Sequence, residues 1–321
     1  MGNNSLLNKL FEISPYIEIF VRKLYWKNIR LFSRYQKRIR KINSSRKLKD
    51  FDKILHYLDS EGIGKGNLMI LHSSFESIEG TSLSPKQIIQ KLLLFLGEEG
   101  TLAMNAARTF KNKIESDYLT QDYSNVITYY DTKKSKVWTG ALPLFLIRHP
   151  HVEISEFPLN SMAAVGKLAK QMMKNNLDGN LTACGEGSSW QFCVENNAIV
   201  VGIGIDLTHS LTIMHVAEDA NNNWPITGWY RERIFSINSG GNKKEVTVLE
   251  RKPKWGTLHF AERTLYKDLV KNKILISTTI DGVQVEYLYA RQLIDFLNNK
   301  NTNGYPYFGI GKKIKHEAST S

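Results

Sequence analysis

The sequence predicts an α/β fold, in which helices cover a buried sheet that contains parallel strands. Residues 67–106 show the order strand, helix, strand, which is a βαβ unit and implies a parallel pair. The run AIVVGIGID (198–206) is apolar, rich in β-branched residues and closed by glycines, as expected of a strand buried on both faces. With 321 residues, 42% apolar and 23% charged, the chain has the composition of a globular protein of one large or two ordinary domains.

The first 49 residues predict a basic amphipathic helical extension, which precedes an α/β domain over residues 50–321. Apolar side chains recur at three- and four-residue spacing in residues 5–42, and Pro15 separates two stretches. Residues 1–50 contain 13 Lys or Arg and 3 Asp or Glu, a net charge of +10. Because the whole chain carries +12, the other 271 residues carry only about +2, and the basic character belongs to the extension.

Three interpretations of this extension are open. It packs on the domain or a partner with a solvated basic face, it lies on an anionic membrane surface through side chains such as Trp26 and Phe32, or it contacts nucleic acid. The third is the weakest, since no recognised binding motif accompanies the charge, and we expect no nucleic-acid partner.

Other features of the sequence favour a cytoplasmic protein. No apolar run reaches about 18 residues, and the amino terminus lacks the pattern of a signal peptide. The two cysteines, Cys184 and Cys193, form no CxxC pair, which fits a reducing compartment and argues against a cysteine-built metal site. We therefore expect a cytoplasmic protein that uses no metal, with peripheral membrane contact through residues 1–49 as an alternative. The oligomeric state is left open.

The elements of the domain follow from periodicity and end signals. FDKILHYLDSEGI (51–63) has helical spacing, NLMILHSS (67–74) is a short buried strand, and SPKQIIQKLLLFLG (84–97) is a helix with Ser84 as its N-cap. The polar stretch 111–137 is expected to be a long loop over a site. The other predictions are strands at 99–106, 198–206, 245–251 and 273–290, and helices at 140–150, 161–176 (capped by Ser161), 188–197 and 290–299.

A candidate catalytic site follows the strand 198–206. Ligands of open α/β sheets bind beyond the carboxyl ends of strands, where Asp206, His209 and the stretch SLTIMHVAEDA (210–220) come next. If this stretch is helical, His215 and Glu218 lie on one face, and the carboxylate can orient the imidazole or itself accept a proton. The alternative is a buried histidine with a structural role beside a helix-terminal acid.

A second candidate is the strand-to-helix loop HSSFESIEG (72–80). Backbone N–H groups of such a loop can hold phosphates. The loop is neither a Walker A loop nor a GxGxxG turn, and no GxSxG elbow surrounds its serines. The alternative is an ordinary helix cap.

The order of these motifs resembles the antibiotic N-acetyltransferase family, the aminoglycoside 3-N-acetyltransferases that lack the GNAT fold. The resemblance covers residues from about 50 to about 300. It rests on LHSSFESIEG, EGTLAMN, Thr139-Gly140-Ala141-Leu142, Arg148-His149-Pro150, Ser161-Met162-Ala163-Ala164-Val165-Gly166 and IVVGIGIDLTHSLTIMHVAEDA.

The resemblance implies a three-layer α/β/α sandwich with a mixed, largely parallel sheet, and acetyl-CoA or another acyl-CoA as co-substrate. It also implies an aminosugar acceptor, and it places Glu218, in the family's HxAE motif with His215, in the acid–base apparatus. The residues implied to lie near the CoA are His72, Ser73, Ser74, Phe75, Thr101 and Ser161.

One departure from the family concerns the catalytic base. The family carries HPxHS, whose first histidine is usually taken as the base, whereas this chain reads Phe157-Pro158-Leu159-Asn160-Ser161. Either His215 or His209 is the base, assisted by Glu218 or Asp206, or the acceptor amine has a low pKa, or the protein is a repurposed binding protein. The acceptor is an aminoglycoside or a nucleotide-linked aminosugar, since lysines at 133, 134 and 136 follow the acidic side chains of 115–131.

Overall fold

The computed structural model describes residues 6–28, 49–110, 119, 122–123, 125–174, 176–179, 181–221 and 224–311. Its helices are α1 (Leu6–Phe11), α2 (Pro15–Lys27), α3 (Phe51–Ser60), α4 (Phe75–Ile78), α5 (Pro85–Leu96), α6 (Ala141–Leu146), α7 (Ala169–Met173), α8 (Ser189–Glu195), α9 (Val216–Asp219), α10 (Pro253–Thr257), α11 (Glu262–Lys271) and α12 (Ala290–Asn301). Its strands are β1 (Leu68–Ser73), β2 (Thr101–Asn105), β3 (Ile127–Asp131), β4 (Glu153–Ile154), β5 (Met162–Gly166), β6 (Ile199–Ile203), β7 (Tyr230–Ser239), β8 (Asn242–Arg251), β9 (Ile276–Ile280), β10 (Val283–Tyr289), β11 (Gly304–Tyr305) and β12 (Ile310–Gly311).

The main sheet has seven strands in the order β4-β5-β2-β1-β6-β10-β9. Strands β2, β1 and β6 are mutually parallel, which confirms the predicted βαβ unit, and the remaining neighbours pair antiparallel. The sheet is therefore mixed, with its parallel pairing confined to the centre.

Helices cover both faces of this sheet, so the fold is the expected three-layer sandwich. Alternate residues of the central strands point to opposite faces: Ile70 and Val200 join a core formed with α7, α8, α11 and α12. Met69 and Val201 join a second core formed with α3, α5 and α6. The central strands are buried on both faces, which explains their continuous apolar sequence.

A smaller sheet of order β3-β7-β8 packs over a third core, which contains Tyr130, Phe157, Phe235 and Val248. Strand β3 lies within the stretch predicted to be a loop, so that prediction is wrong over residues 127–131. Strand β3 has only five residues, too few for an alternation of exposed and buried residues to stand out in the sequence. Its partner strand, β7, begins far along the chain at Tyr230, so no local pattern reports the pairing. Residues 111–118 of the predicted loop lie outside the described part.

The helix predicted over 161–176 is wrong in its first half, because residues 162–166 form β5 and helix α7 spans only Ala169–Met173. Ser161 therefore precedes a strand and caps no helix. The cause is close packing: β5 pairs with β2, and Gly166 has a φ of +133°, which ends the strand where the backbone of Gly100 lies against it. Helices α10 and α11 were also absent from the elements predicted for residues 227–300.

Helices α1 and α2 of the extension contact α11. The buried Glu18 of α2 accepts a hydrogen bond from the backbone N–H of Arg263 (2.9 Å), and Arg22 bridges Glu18 and Glu262 (3.0 and 3.2 Å). None of the helices in the described ranges is long and apolar enough to cross a membrane.

Candidate active site

The carboxyl ends of β1, β2 and β6 meet at one edge of the main sheet, and the candidate site lies there. The loop after β1 contacts the loop after β6, because the Ser74 N–H donates to Ile203 O (3.1 Å) and the Ser77 hydroxyl donates to Gly204 O (2.9 Å). From the end of β2, the Asn105 side-chain amide donates to Thr212 Oγ1 (3.1 Å). These contacts hold the segment that leads to His215.

His215 and Glu218 are brought together as predicted. Residues Thr212–His215 form a 3-10 turn that runs directly into α9, so the two side chains project from consecutive turns. His215 Nδ1 lies 3.1 Å from Glu218 Oε2. Glu218 is buried, whereas the His215 side chain keeps 16% of its surface exposed. A buried carboxylate that supports a partly exposed imidazole is the arrangement of a general base and its orienting acid.

Arg251, at the end of β8, also contacts this pair. Its Nη1 lies 3.0 Å from His215 Nδ1 and 3.7 Å from Glu218 Oε2. Nδ1 carries either a hydrogen, which it donates to Glu218, or a lone pair, which accepts from Arg251; it cannot do both. Only the first arrangement leaves Nε2 as the basic nitrogen, so Arg251 and Glu218 compete for the tautomer of His215.

His215 lines two cavities, and this placement suits transfer between two bound molecules. The larger cavity, of about 420 Å³, lies against the β7–β8 ribbon. The smaller cavity, of about 260 Å³, lies against the turn after β6. Asn160, His215, Arg251 and Gly256 line both.

His209 and Asp206 form a neighbouring cluster rather than part of the His215 pair. His209 lines the smaller cavity and forms an ion pair with Glu262. The hydrogen bond with Glu262, with the charges of Glu262 and Asp206, raises the pKa of His209 despite its partial burial. Burial alone would raise the pKa of Glu262, but the hydrogen bond and charge of His209, with Arg22 and Arg263, lower it to about 2.

The carboxylate of Asp206 is engaged by neighbouring residues that stabilise the local structure. It caps the turn Leu207–His209, accepts from the Thr208 hydroxyl (2.6 Å) and pairs with Arg263 (2.8 Å). Its carboxylate is therefore poorly placed to take up a proton from a substrate. The raised pKa favours the protonated form of His209, and a cation suits an anion contact better than it suits a base.

Four of the six residues expected near CoA lie at the carboxyl edge of β1. Ser73 ends β1, Ser74 precedes α4, and Phe75 begins it. His72 is buried one residue earlier, where burial lowers its pKa to about 4 and makes it a neutral side chain. A contact of the Ser73–Phe75 loop with CoA stays a prediction.

The other two residues, Thr101 and Ser161, lie on or beside other strands, and their contact with CoA stays a prediction. Thr101 pairs with Leu68 at the amino end of the parallel strands, roughly 16 Å of strand from Ser73, and its hydroxyl accepts from the Leu168 N–H (2.9 Å). Ser161 is buried, and its hydroxyl is shared with Tyr130 OH (3.1 Å) and Ser155 O (3.3 Å). Thr101 therefore lies at the edge opposite the candidate site. Ser161 lies at the carboxyl edge, because it precedes β5, whose first residue Met162 pairs with Asn105 at the end of β2.

The segment that departs from the family's HPxHS pattern borders both cavities. Phe157 is buried in the third core, whereas Pro158, Leu159 and Asn160 line the larger cavity. Asn160 has a φ of +46°, and its carbonyl accepts from Trp190 Nε1 (2.8 Å). Phe157 thus serves packing, whereas Asn160 lines both cavities together with His215.

The larger cavity is lined by four arginines that were not among the predicted site residues, Arg108, Arg231, Arg233 and Arg251. Arg231 and Arg233 alternate in the run YRERI, a two-residue spacing that puts both on one face of a strand. The shared face of Arg231 and Arg233 could therefore have been predicted from the sequence. The position of Arg251 beside His215 could not, because it depends on the β7–β8 pairing and on the docking of the smaller sheet.

Comparisons with known proteins agree with this architecture. The family model described as aminoglycoside 3-N-acetyltransferase matches residues 70–300. Aminoglycoside N(3)-acetyltransferase III of Serratia marcescens is 26% identical over 162 residues, covering 49% of this chain and 59% of that protein. The protein of the same name from Salmonella sp is 26% identical over 170 residues, covering 51% and 58%. The matches thus span less than two thirds of these relatives.

Solved structures share the fold. AAC-IIIb in its binary complex with CoASH has a TM-score of 0.65 at 18% identity, covering 78% of this chain and 95% of that one. Aminoglycoside acetyltransferase AAC(3)-IIb has a TM-score of 0.64 at 19% identity, covering 81% and 98%. With a family model that matches most of its length, the chain belongs to the aminoglycoside 3-N-acetyltransferase family.

Proposed function

We propose that this protein transfers an acetyl group, or a related acyl group, from a CoA thioester to an amino group of an aminosugar. The observation that carries the proposal is the His215–Glu218 pair, 3.1 Å apart, at the wall shared by two cavities. Family membership and the likeness to a CoASH-bound structure support acetyl-CoA as the co-substrate.

In the proposed mechanism, Glu218 accepts the Nδ1–H of His215, and Nε2 removes a proton from the attacking amine. The amine nitrogen forms a bond to the thioester carbonyl carbon, and the resulting oxyanion collapses as the carbon–sulfur bond breaks. CoA leaves as its thiolate. The chain's own residues thus supply the base and its orientation.

The transfer is proposed to be direct, within a complex of both substrates. Cys184 and Cys193 are both buried, and burial raises the pKa of each thiol, so neither is a thiolate suited to carry an acyl group. The smaller cavity, next to the turn after β6, is assigned to the thioester end of CoA, with the Ser73–Phe75 loop nearby at the same edge. The larger cavity is assigned to the acceptor.

The acceptor is proposed to be an aminosugar compound, in an enzyme that works in the cytoplasm. An apramycin complex is known for a structural neighbour, AAC(3)-IVa, which has a TM-score of 0.61 at 18% identity. A catalytically inactive binding protein is the competing hypothesis, and it is favoured by the non-histidine residues Phe157 and Asn160.

The test is release of CoA thiol from acetyl-CoA by wild type, His215→Ala and Glu218→Gln, over a panel of amines. His56→Gln is the matched control, because His56 is exposed on α3, away from the cavities. We expect His215→Ala to lower kcat by about 10²–10⁴-fold, Glu218→Gln to lower it less, and the control to be unchanged. Tight CoA binding by calorimetry without release on any amine would instead support the binding protein.

A further inference from the structure

The lining of the larger cavity beside His215 is net positive over the residues that the structure describes. Among them are four arginines, Arg108, Arg231, Arg233 and Arg251, and two carboxylates, Asp219 and Glu250. These side chains sum to a charge of +2, counting four cations and two anions. A polycationic aminoglycoside requires the opposite balance, because its ammonium groups need carboxylates that have no other cationic partner.

Both carboxylates of the cavity already have partners. Glu250 accepts from Arg231 Nε (2.6 Å) and from Arg233 Nη1 (3.0 Å). Asp219 accepts from the Tyr230 hydroxyl (2.7 Å) and from the Cys184 N–H (3.0 Å), and burial raises its pKa. An ammonium group of a ligand would therefore compete for these carboxylates with an arginine or with a buried hydrogen bond.

The same cavity presents groups that suit a phosphorylated ligand. Three of its arginines lie on the paired strands β7 and β8. Arg231 and Arg233 share the single carboxylate of Glu250, so this group of three keeps a net charge of +1, and a guanidinium group can hold two phosphate oxygens. Trp138 also lines the cavity, with 65% of its surface exposed, which leaves the indole ring accessible for stacking. Its volume of about 420 Å³ lies in the range of small-molecule sites.

We propose that the acceptor is an anionic aminosugar, a nucleoside-diphosphate-linked one, whose phosphates bind Arg231, Arg233 and Arg251. This inference rests on the proposed transferase function and specifies its acceptor. CoA carries the same phosphate chemistry, but the cavity is assigned to the acceptor because the turn after β6, at the carboxyl edge of the sheet, lines the other cavity.

Such a ligand also acts on His215. A phosphate that binds Arg251 draws the guanidinium away from His215 Nδ1, and Nδ1 is then free to donate its hydrogen to Glu218. In that tautomer Nε2 carries the lone pair that can accept the proton of the amine. Arg251 is in this sense a positioning residue, which couples recognition of the acceptor to the tautomer of the base.

The experiment compares three acceptors: a nucleoside-diphosphate-linked aminosugar, the same aminosugar unlinked, and an aminoglycoside. We expect the linked sugar to have the highest kcat/KM. Arg231→Gln should raise KM for the linked sugar by about 10- to 100-fold and leave KM for acetyl-CoA within about twofold. Arg148→Gln, at an exposed arginine outside the cavity, is the control.

A separate variant tests the role of Arg251 as a positioning residue. Arg251→Lys should shift the pH profile of kcat, which loss of packing alone would not do.

Three outcomes overturn the inference. One is faster turnover of the aminoglycoside or the unlinked sugar; another is a rise in KM for acetyl-CoA alone, which would assign the cavity to CoA phosphates. If no amine is turned over, the transferase proposal fails, and calorimetry then tests the cavity directly: absence of binding by the linked sugar overturns the inference. If Arg231→Gln does not fold, Trp138→Ala, at an exposed position, replaces it and should weaken the linked sugar but not the unlinked one.

A second, independent observation concerns the surface of the extension. Five large apolar side chains of α1, α2 and the turn between them are exposed: Leu10, Ile13, Tyr16, Phe20 and Leu24. Tyr16, Phe20 and Leu24 recur every four residues, so they form one stripe on the face of α2 opposite the buried Glu18 and Ile19. The apolar face and the net charge of +10 over residues 1–50 are the features of a helix that binds an anionic bilayer.

We infer that this stripe, residues 10–24, docks on an anionic lipid surface. Wild type should sediment with vesicles of phosphatidylcholine and phosphatidylglycerol, less so at high salt, and not with phosphatidylcholine alone. Phe20→Glu should abolish sedimentation, and Leu94→Glu, at a still more exposed leucine on α5, should not. Equal sedimentation of both variants overturns the inference, as does light scattering that shows Phe20→Glu converting a dimer to a monomer.

Discussion

At the residue scale, the site depends on which atoms share a proton. His215 Nδ1 has two neighbours and one hydrogen, and Glu218, rather than a second histidine, is the group that can fix its tautomer. This pair is predictable from the sequence because three residues of separation place two side chains on one face of a helical turn. The contact of Arg251 with His215 is not predictable in this way, because Arg251 lies at the end of β8 in the smaller sheet.

The His209–Glu262 ion pair makes stability depend on pH in a defined window. In the folded protein the pKa of Glu262 is lowered from 4.5 to about 2. Its ionised carboxylate therefore contributes fully to the free energy of unfolding above pH 4.5, and this contribution is lost as the pH falls towards 2. In the folded protein the pKa of His209 is raised above 6.5. Its protonated ring therefore contributes fully to the free energy of unfolding below pH 6.5, and this contribution is lost as the pH rises through the pKa of the folded protein.

The difference in free energy of unfolding between wild type and His209→Gln should therefore be greatest between pH 4.5 and 6.5 and shrink on either side. Urea unfolding at a series of pH values measures it, with His56→Gln as the reference for an exposed histidine. A difference that does not vary with pH would contradict the assigned pairing.

At the scale of elements, Gly166 decides why residues 162–166 form a strand end and not a helix. Its φ of +133° favours glycine, and a Cβ there would lie 2.2 Å from Gly100 O, a backbone atom. Gly166→Ala should destabilise the fold by about 1–3 kcal/mol or more, from backbone strain and the clash.

Thermal unfolding of Gly166→Ala and of Gly64→Ala checks this. Gly64 lacks a positive φ, and a Cβ there would meet its nearest atoms at 3.4 Å or more, an ordinary contact, so its variant should remain near wild type. Equal stability of the two variants would mean that the junction of β5 with β2 can relax.

At the scale of the whole molecule, the extension is connected to the candidate site through buried charges. Glu18 of α2 bonds to Arg263 N–H, Arg22 joins Glu18 to Glu262, and Glu262 pairs with His209 at the smaller cavity. The division into an extension over 1–49 and a domain over 50–321 stays a proposal, and from these contacts we predict that the two unfold in a single transition.

Glu18→Ala should accordingly lower the free energy of unfolding of the whole protein by about 1–3 kcal/mol, since it leaves the Arg263 N–H and the Arg22 guanidinium without this partner. The unfolding transition should remain single. Glu98→Ala, which removes an exposed carboxylate, is the control. A Glu18→Ala variant as stable as that control would show that the extension is a detachable segment.

Sequence patterns alone determined the sheet's central strands and the helices α3, α5, α8 and α12, because their burial repeats over many adjacent residues. They also determined the His215–Glu218 pair, which depends on one local turn. Only the tertiary structure decided that Thr101 lies at the far edge of the sheet, that residues 162–166 are a strand, and that arginines of β7 and β8 face His215. The physical reason is that strand register and the docking of one sheet on another are long-range contacts, which have no periodicity within the segment itself.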